Sequence, residues 1–302
     1  MHRKASLILC LIFCQCCGGT DQKNMATDMV TPTEVVDADT ITAVDGEDLS
    51  PADAAVDAGT QWQSIPIEPT SAFLERKAAY FEGCLGSGGP GLGGFYGQVC
   101  RVAGGGDEYN LPEIDKALEK VDARLDTADF RVAGLVRLLY LDRQAAALPE
   151  GVASAIEATL LGFRYWFSEP GDDKMCYWTE NHQILFHSGE LLAGQLFPLA
   201  LFSNSGMTGA EHVAHARPLV ERWLDFRGLM GFSEWHSNVY FNEDIPALLN
   251  LVDFAEDEVI RTKAAMVLDI VLMDLLNNMY KGNFATTHGR TYSNKFLGGL
   301  QD

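Results

Sequence analysis

The sequence predicts an all-α fold, and three observations predict it. From Leu111 onward apolar residues recur three and four positions apart, as on one face of a helix. Few segments alternate with the period of two that a strand needs, so no substantial sheet is expected. Prolines and short polar residues fall between the periodic segments, where helices start and stop.

Taken in order, "SAFLERKAAYFEGCL" reads as a short helix ending near Gly83, and the glycine-rich stretch to Gly106 as a loop. That stretch is no phosphate loop, because no Gly-Lys-Ser/Thr follows it and no strand pattern leads in. "LPEIDKALEKVDARL" has Pro112 at its start and Ile114, Leu118, Val121 and Leu125 at helical spacing. Asp126 is placed to cap the next helix, with Phe130, Gly134, Val136, Leu138 and Leu139 on its packing positions. A third helix starts at Pro149 and stops before Pro170, and a fourth runs from a Thr179 cap to about Phe197. "GAEHVAHARPLVERWLDFRGLM" is a fifth, bent or restarted at Pro218. "EDIPALLNLVDFAED" is a sixth and "DEVIRTKAAMVLDIVLMDLLNNMY" the longest. Residues 264–276 are apolar nearly all round, which predicts burial between neighbours. Ser188, Gly189, Ala193 and Gly194 would let their helix approach another closely. Successive helical hairpins in a layered or ring-like array follow from these lengths, spanning residues 111–302 after a short helix and glycine-rich loop at 61–110.

The first seventeen residues carry a different message. Arg3 and Lys4 precede an apolar run from Ala5 to Phe13 that is too short to span a bilayer. Cys14, Cys16 and Cys17 follow at once, a pattern resembling a bacterial lipoprotein signal, with Cys17 the best lipidation site because small Cys16 precedes it. An ordinary cleaved signal peptide is the alternative, and either one places the protein outside the cytoplasm. Residues 18–60 hold ten acids against Lys23 alone and no aromatic residue, the composition of a disordered tether. The expected site is the cell envelope, with a lipid membrane as one partner.

The net charge is −20, and about −13 remains without signal and tether. That balance argues against nucleic acid as a partner, since phosphate neutralisation needs a basic face. Beyond the signal only Cys84, Cys100 and Cys176 remain. In an oxidising compartment Cys84 and Cys100 are the natural pair, leaving Cys176 free, although a bridge to Cys176 stays open.

Three polar segments stand at helix ends. The first is "YWTENH", with Trp178, Glu180, Asn181 and His182. The second is "GFSEWHSNVYFNED", with Glu234, Trp235, His236 and Tyr240. The third is "NFATTHGRTY", with His288 and Arg290. Together they supply the parts for abstracting a proton beside a carboxylate and expelling a sugar oxygen. His182 or His236 would be the base, and Tyr240 an acid or base if a neighbouring arginine lowers its pKa. Asn181 would hold a substrate carboxylate and Arg290 would pair with its charge. Glu180 and Glu234 read alternatively as the paired carboxylates of a glycosidase. Each segment has a plainer reading as a satisfied helix end or packing. His212 and His215 in "EHVAH" have i, i+3 spacing and no third ligand nearby in sequence, so neither metal nor cofactor is expected.

"TENHQILFHSGELLAGQLFP", "GFSEWHSNVYFNEDIPALLNLVDFAEDE" and "THGR" together resemble bacterial helical-toroid proteins related to the alginate lyase, chondroitin lyase and heparinase group. The resemblance implies a toroid-like fold, here partial because the helices are too few for a full one. It also implies uronate polysaccharide cleavage by β-elimination. Asn181 would neutralise the carboxylate, His182 and Tyr240 would share base and acid roles, and Arg290 would add charge stabilisation. Trp178, Glu180, Glu234, Trp235, His236 and His288 would line the glycan site. The acidic net charge departs from the basic cleft that polyanion lyases use. The competing expectation is therefore a non-catalytic glycan-binding or scaffold protein on the same fold.

Overall fold

The computed structural model describes residues 69–85, 94–106, 109–281 and 283–296. The signal and acidic tether expected at residues 1–17 and 18–60, with Cys17, lie outside them. Residues from Leu74 onward belong to one compact unit; of the other, Thr20–Phe73, only residues 69–73 are described.

Nine helices of two turns or more and a single-turn helix make up the described chain. They are α1 (Ser71–Leu85), α2 (Phe95–Ala103), α3 (Leu111–Asp122), α4 (Ala128–Ala145), α5 (Val152–Gly162), α6 (Glu180–Leu196), α7 (Gly209–Met230), α8 (Phe241–Phe254), α9 (Glu258–Asn277) and α10 (Ser293–Phe296). The described strands are β1 (Met279–Tyr280) and β2 (Asn283–Phe284), an antiparallel pair of two residues each. The all-α class holds.

Several boundaries differ from the sequence expectation. The glycine-rich stretch contains α2, because Phe95, Tyr96, Val99 and Val102 have helical spacing and are buried in the core that α3, α4 and α6 share. Thr127, with a left-handed φ of 62°, rather than Asp126, precedes α4. Thr179 does precede α6, but its hydroxyl binds Asn181 Oδ1 at 2.7 Å instead of a backbone N–H. Pro218 lies inside an unbroken α7, whose start is locked by a Thr208–Glu211 capping box. Burial of residues 264–276 on all sides does not occur. Ala264, Val267, Leu268 and Val271 are buried, but Met266, Met273 and Leu276 are exposed, so α9 lies on the outside.

Hydrogen bonds between helices set their directions. Asp129 near the start of α4 meets His182 near the start of α6, and Tyr140 further along α4 donates to Leu192 of α6 at 3.1 Å. Asn250 of α8 accepts from Arg137 Nε at 2.7 Å and donates to Ala133 at 2.8 Å, while Arg137 also pairs with Asp253 at 2.9 Å. Helices α4, α6 and α8 therefore run parallel as a buried inner layer. Helix α7 runs antiparallel to α6, since Trp223 reaches the carbonyl of Glu180 while His212 reaches Glu190. The connection from α6 to α7 is tight enough to need glycine. A Cβ on Gly194 would stand 2.6 Å from the carbonyl oxygen of Gly209, and one on Gly209 would stand 2.1 Å from that of Phe197. These contacts establish helical hairpins around a parallel inner layer. The expected Cys84–Cys100 disulfide is present and fastens α1 to α2, while Cys176 is free. No helix of the described residues is long and apolar enough to cross a membrane.

Candidate functional site

Parallel inner helices bring their N-terminal turns to one end, and those turns carry the polar residues. Asp129 is the second residue of α4, Glu180, Asn181 and His182 are the first three of α6, and Tyr240, Glu243 and Asp244 open α8. Helix N-termini favour carboxylates because their free N–H groups leave partial positive charge there.

His182 Nδ1 lies 2.6 Å from Asp129 Oδ2, both side chains are nearly buried, and the imidazole stacks on Phe130 at 5.1 Å between centroids. An ionised Asp129 accepts the Nδ1 proton, which leaves Nε2 as the nitrogen able to accept another. Burial opposes the charged imidazolium, but the hydrogen bond and charge of Asp129, with Asp126 and Glu243 behind it, outweigh burial and raise the His182 pKa. Glu243 is half-buried in the first turn of α8. Burial and then the charge of Asp129 push its carboxyl up to about 7, with Arg131, His182 and Lys120 pulling the other way. A carboxyl in that range can give or take a proton near neutral pH. Its neighbour Asp244 is wholly buried with both oxygens unpartnered, and burial followed by the charge of Glu180 raises its pKa well above the usual carboxylate range.

The three polar segments recognised in sequence meet here. The Glu180 carboxylate takes Arg227, the Ser233 amide at 2.8 Å, the Ser233 hydroxyl at 2.7 Å and the Glu234 amide at 2.7 Å. Glu180 thus clamps the loop after α7, leaving its carboxylate engaged inside the fold. The third segment lies along that loop. His288 Nδ1 donates to the carbonyl of His236, Gly289 donates to that of Trp235 at 2.8 Å, and Ser237 Oγ donates to that of Arg290 at 2.7 Å. Gly289 is needed for this approach: a Cβ would fall 2.8 Å from the Trp235 ring and 3.0 Å from its carbonyl oxygen.

Arg290 pairs with Glu234 and lies 4.0 Å over the Tyr240 ring, while the Tyr240 and Tyr292 hydroxyls share a hydrogen bond. The arginine expected to lower the Tyr240 pKa is in place, yet the net shift is upward. Burial and the Tyr292 bond exceed the effect of Arg290, so Tyr240 stays a proton donor at neutral pH. Asn181 is completely buried, with its Oδ1 on Thr179 and its Nδ2 unpartnered. His236 Nε2 is 4.0 Å from Asp274. Trp178 and Trp235 are the exposed members of the group, at 75% and 46%.

The sequence places Glu243 and Asp244 in the second polar segment without giving either a role, and it does not single out Asp129, Arg131 or Tyr292. An acid in the second position of a helix looks like an ordinary dipole partner, and only the register of α4 against α6 makes Asp129 a histidine partner. The chain matches no model of a known protein family, no characterised protein and no solved structure.

Proposed function

We propose that this protein acts on a polysaccharide and that its best-supported chemistry is β-elimination at a uronate. The observation that carries the reading is the Asp129–His182 hydrogen bond, which orients the imidazole and, with Asp129 ionised, holds its proton on Nδ1. His182 Nε2 takes the proton from the carbon beside the uronate carboxylate. The electron pair forms the new carbon–carbon double bond, the glycosidic oxygen leaves, and Tyr240 gives that oxygen its proton. Arg290 over the Tyr240 ring stabilises the phenolate so formed. The cations Arg131 and Lys120 near Glu243 supply charge to offset the carboxylate, and Asn181, completely buried with its amide nitrogen unpartnered, would reach it only if the first turn of α6 opens. The toroid-like closure of the hairpins and Arg290 as a further charge stabiliser belong to the same proposal. An envelope location with Cys17 lipidated draws support from the N-terminal pattern and from the Cys84–Cys100 disulfide, which suits an oxidising compartment.

One observation favours the rival reading of a glycan-binding scaffold. Glu180 is paired with Arg227 and Glu234 with Arg290, while Trp178 and Trp235 are exposed and available for sugar stacking. The test follows the ultraviolet absorbance of the unsaturated product when the folded chain meets a panel of uronate polymers. A signal lost in both His182→Ala and Tyr240→Phe supports elimination. Polymer retention without product, lost in Trp178→Ala and Trp235→Ala, establishes the scaffold instead.

A further inference from the structure

A second polar cluster lies on α6, eight residues beyond His182 and so about 12 Å further along the helix axis. Glu190 is buried at 1% exposure, and its Oε1 meets two imidazoles of α7, His212 Nδ1 at 2.7 Å and His215 Nδ1 at 2.8 Å. Glu169, from the connection between α5 and α6, joins them. One ligand atom each from Glu169, Glu190 and His212 lies within 4.8 Å of the others. The second oxygen of Glu190 is buried with no hydrogen-bond partner. A buried carboxylate oxygen left bare beside another carboxylate is costly unless a cation completes it.

We propose that Glu169, Glu190 and His212 bind a divalent transition-metal ion of the zinc type, with His215, which hydrogen-bonds Glu190 but lies outside that 4.8 Å set, turning in as a fourth ligand. The donor set decides the class: imidazole favours first-row transition ions over magnesium or calcium, and two carboxylates match a double positive charge. The outer partners suit the role. The His212 Nε2 lies 2.7 Å from Ser205 Oγ, so with Nδ1 on the metal it donates to that hydroxyl. Glu169 is oriented by the Tyr165 amide at 3.0 Å and by Asn204 Nδ2 at 2.8 Å. Metal–ligand bonds of about 2.0–2.1 Å require Glu190 and His212 to open from hydrogen-bond contact by about half an ångström, within reach of rotamer adjustment.

The same atoms also spell a Ser205–His212–Glu190 relay, but His212 is completely enclosed and Ser205 Oγ already accepts the Met207 amide at 3.1 Å. A relay leaves the bare Glu190 oxygen and the nearby Glu169 unexplained; the metal accounts for both. The ion would tie α6 and α7 to the segment at 163–179, which leads directly into the first turn of α6 and so into His182. It would stiffen the delivery of that turn without touching a substrate.

The test is Zn²⁺ binding by the full-length chain, read by metal analysis after equilibrium dialysis and by thermal unfolding with Zn²⁺ or with chelator. Zinc at a hundredfold excess over its dissociation constant is expected to raise the unfolding temperature by about 5–10 °C. Glu169→Gln, Glu190→Gln and His215→Ala should each weaken binding by about tenfold or more. Glu169 is only half-buried, so its variant decides the matter if Glu190→Gln does not fold. Substitution with Co²⁺ separates this site from the terminal cysteines, because a nitrogen and oxygen shell lacks the thiolate charge-transfer band. No bound ion in the folded chain, or binding unchanged in Glu169→Gln and His215→Ala, overturns the proposal.

Discussion

Replacing Glu180 with Ala removes one carboxylate that four donors share. Its side chain is 4% exposed and that of Arg227 is 9%, so the substitution leaves a guanidinium buried without its counter-ion. Breaking a buried pair from one side costs about 3–5 kcal/mol, because the remaining charge keeps its desolvation penalty. The amides of Ser233 and Glu234 lose their acceptor too, but Ser233 is exposed and Glu234 only part-buried, so water can replace it and they add little beyond that range. For a domain of this size each kcal/mol moves the midpoint by about 2–4 °C, so the variant should unfold about 6–20 °C lower. Thermal and urea unfolding followed by helical circular dichroism measure it. Truncating Arg227 as well removes the orphaned charge, so the double variant should be at least about 1 kcal/mol more stable than the two single losses added together. A single-variant loss under about 1 kcal/mol, the range of a surface pair, would refute the reasoning, as would simple additivity.

Glu243→Gln should alter the pH dependence of stability. An acid whose pKa rises on folding keeps a proton that the unfolded chain has released, so wild-type stability falls as pH climbs from about 4.3 in the unfolded chain towards about 7 in the folded one. The glutamine variant should therefore gain on wild type in mildly alkaline buffer and lose that advantage in acid; parallel stability curves would count against it. Asp129→Asn should lower the His182 pKa, since burial then acts without its opponent, and imidazole resonances in an NMR titration report this. The stability that a raised histidine pKa contributes is complete below its unfolded value and disappears as pH rises through the folded one, so the deficit of this variant should be largest in mild acid. Gly194→Ala would gain helix propensity in open space, but here its methyl meets the Gly209 carbonyl at 2.6 Å and the Val213 amide at 3.1 Å. Backbone cannot rotate away, so a loss of about 1–3 kcal/mol in urea unfolding is expected, and a gain would show that α6 and α7 separate easily.

Much of the helical architecture was legible in sequence because period, proline and glycine are local signals. α6 and α9 begin within a residue or two of the expected positions, and the small residues of α6 do mark a close helix contact. The misreadings have physical causes. Glycines around residues 86–94 obscure the apolar spacing that makes Phe95–Ala103 a helix. Apolar residues all round α9 suggested burial, whereas exposure depends on which helices stand beside it.

The candidate site divides along the same line. Sequence alone marked Glu180, Asn181, His182, Glu234, Tyr240, His288 and Arg290, because polar and aromatic residues crowded at helix ends are costly without a reason. It also paired Cys84 with Cys100. What it could not decide was each residue's partner. Glu180 became a clamp for Ser233 and Glu234, Asp129 the partner of His182, and Glu169 and Glu190 the neighbours of His212 only when the chain folded. Periodicity reports which face of a helix is apolar, and that is a property of a few consecutive residues. The register between helices, and with it every pKa and every ligand set described above, comes from contacts between positions tens of residues apart, which only tertiary packing can choose.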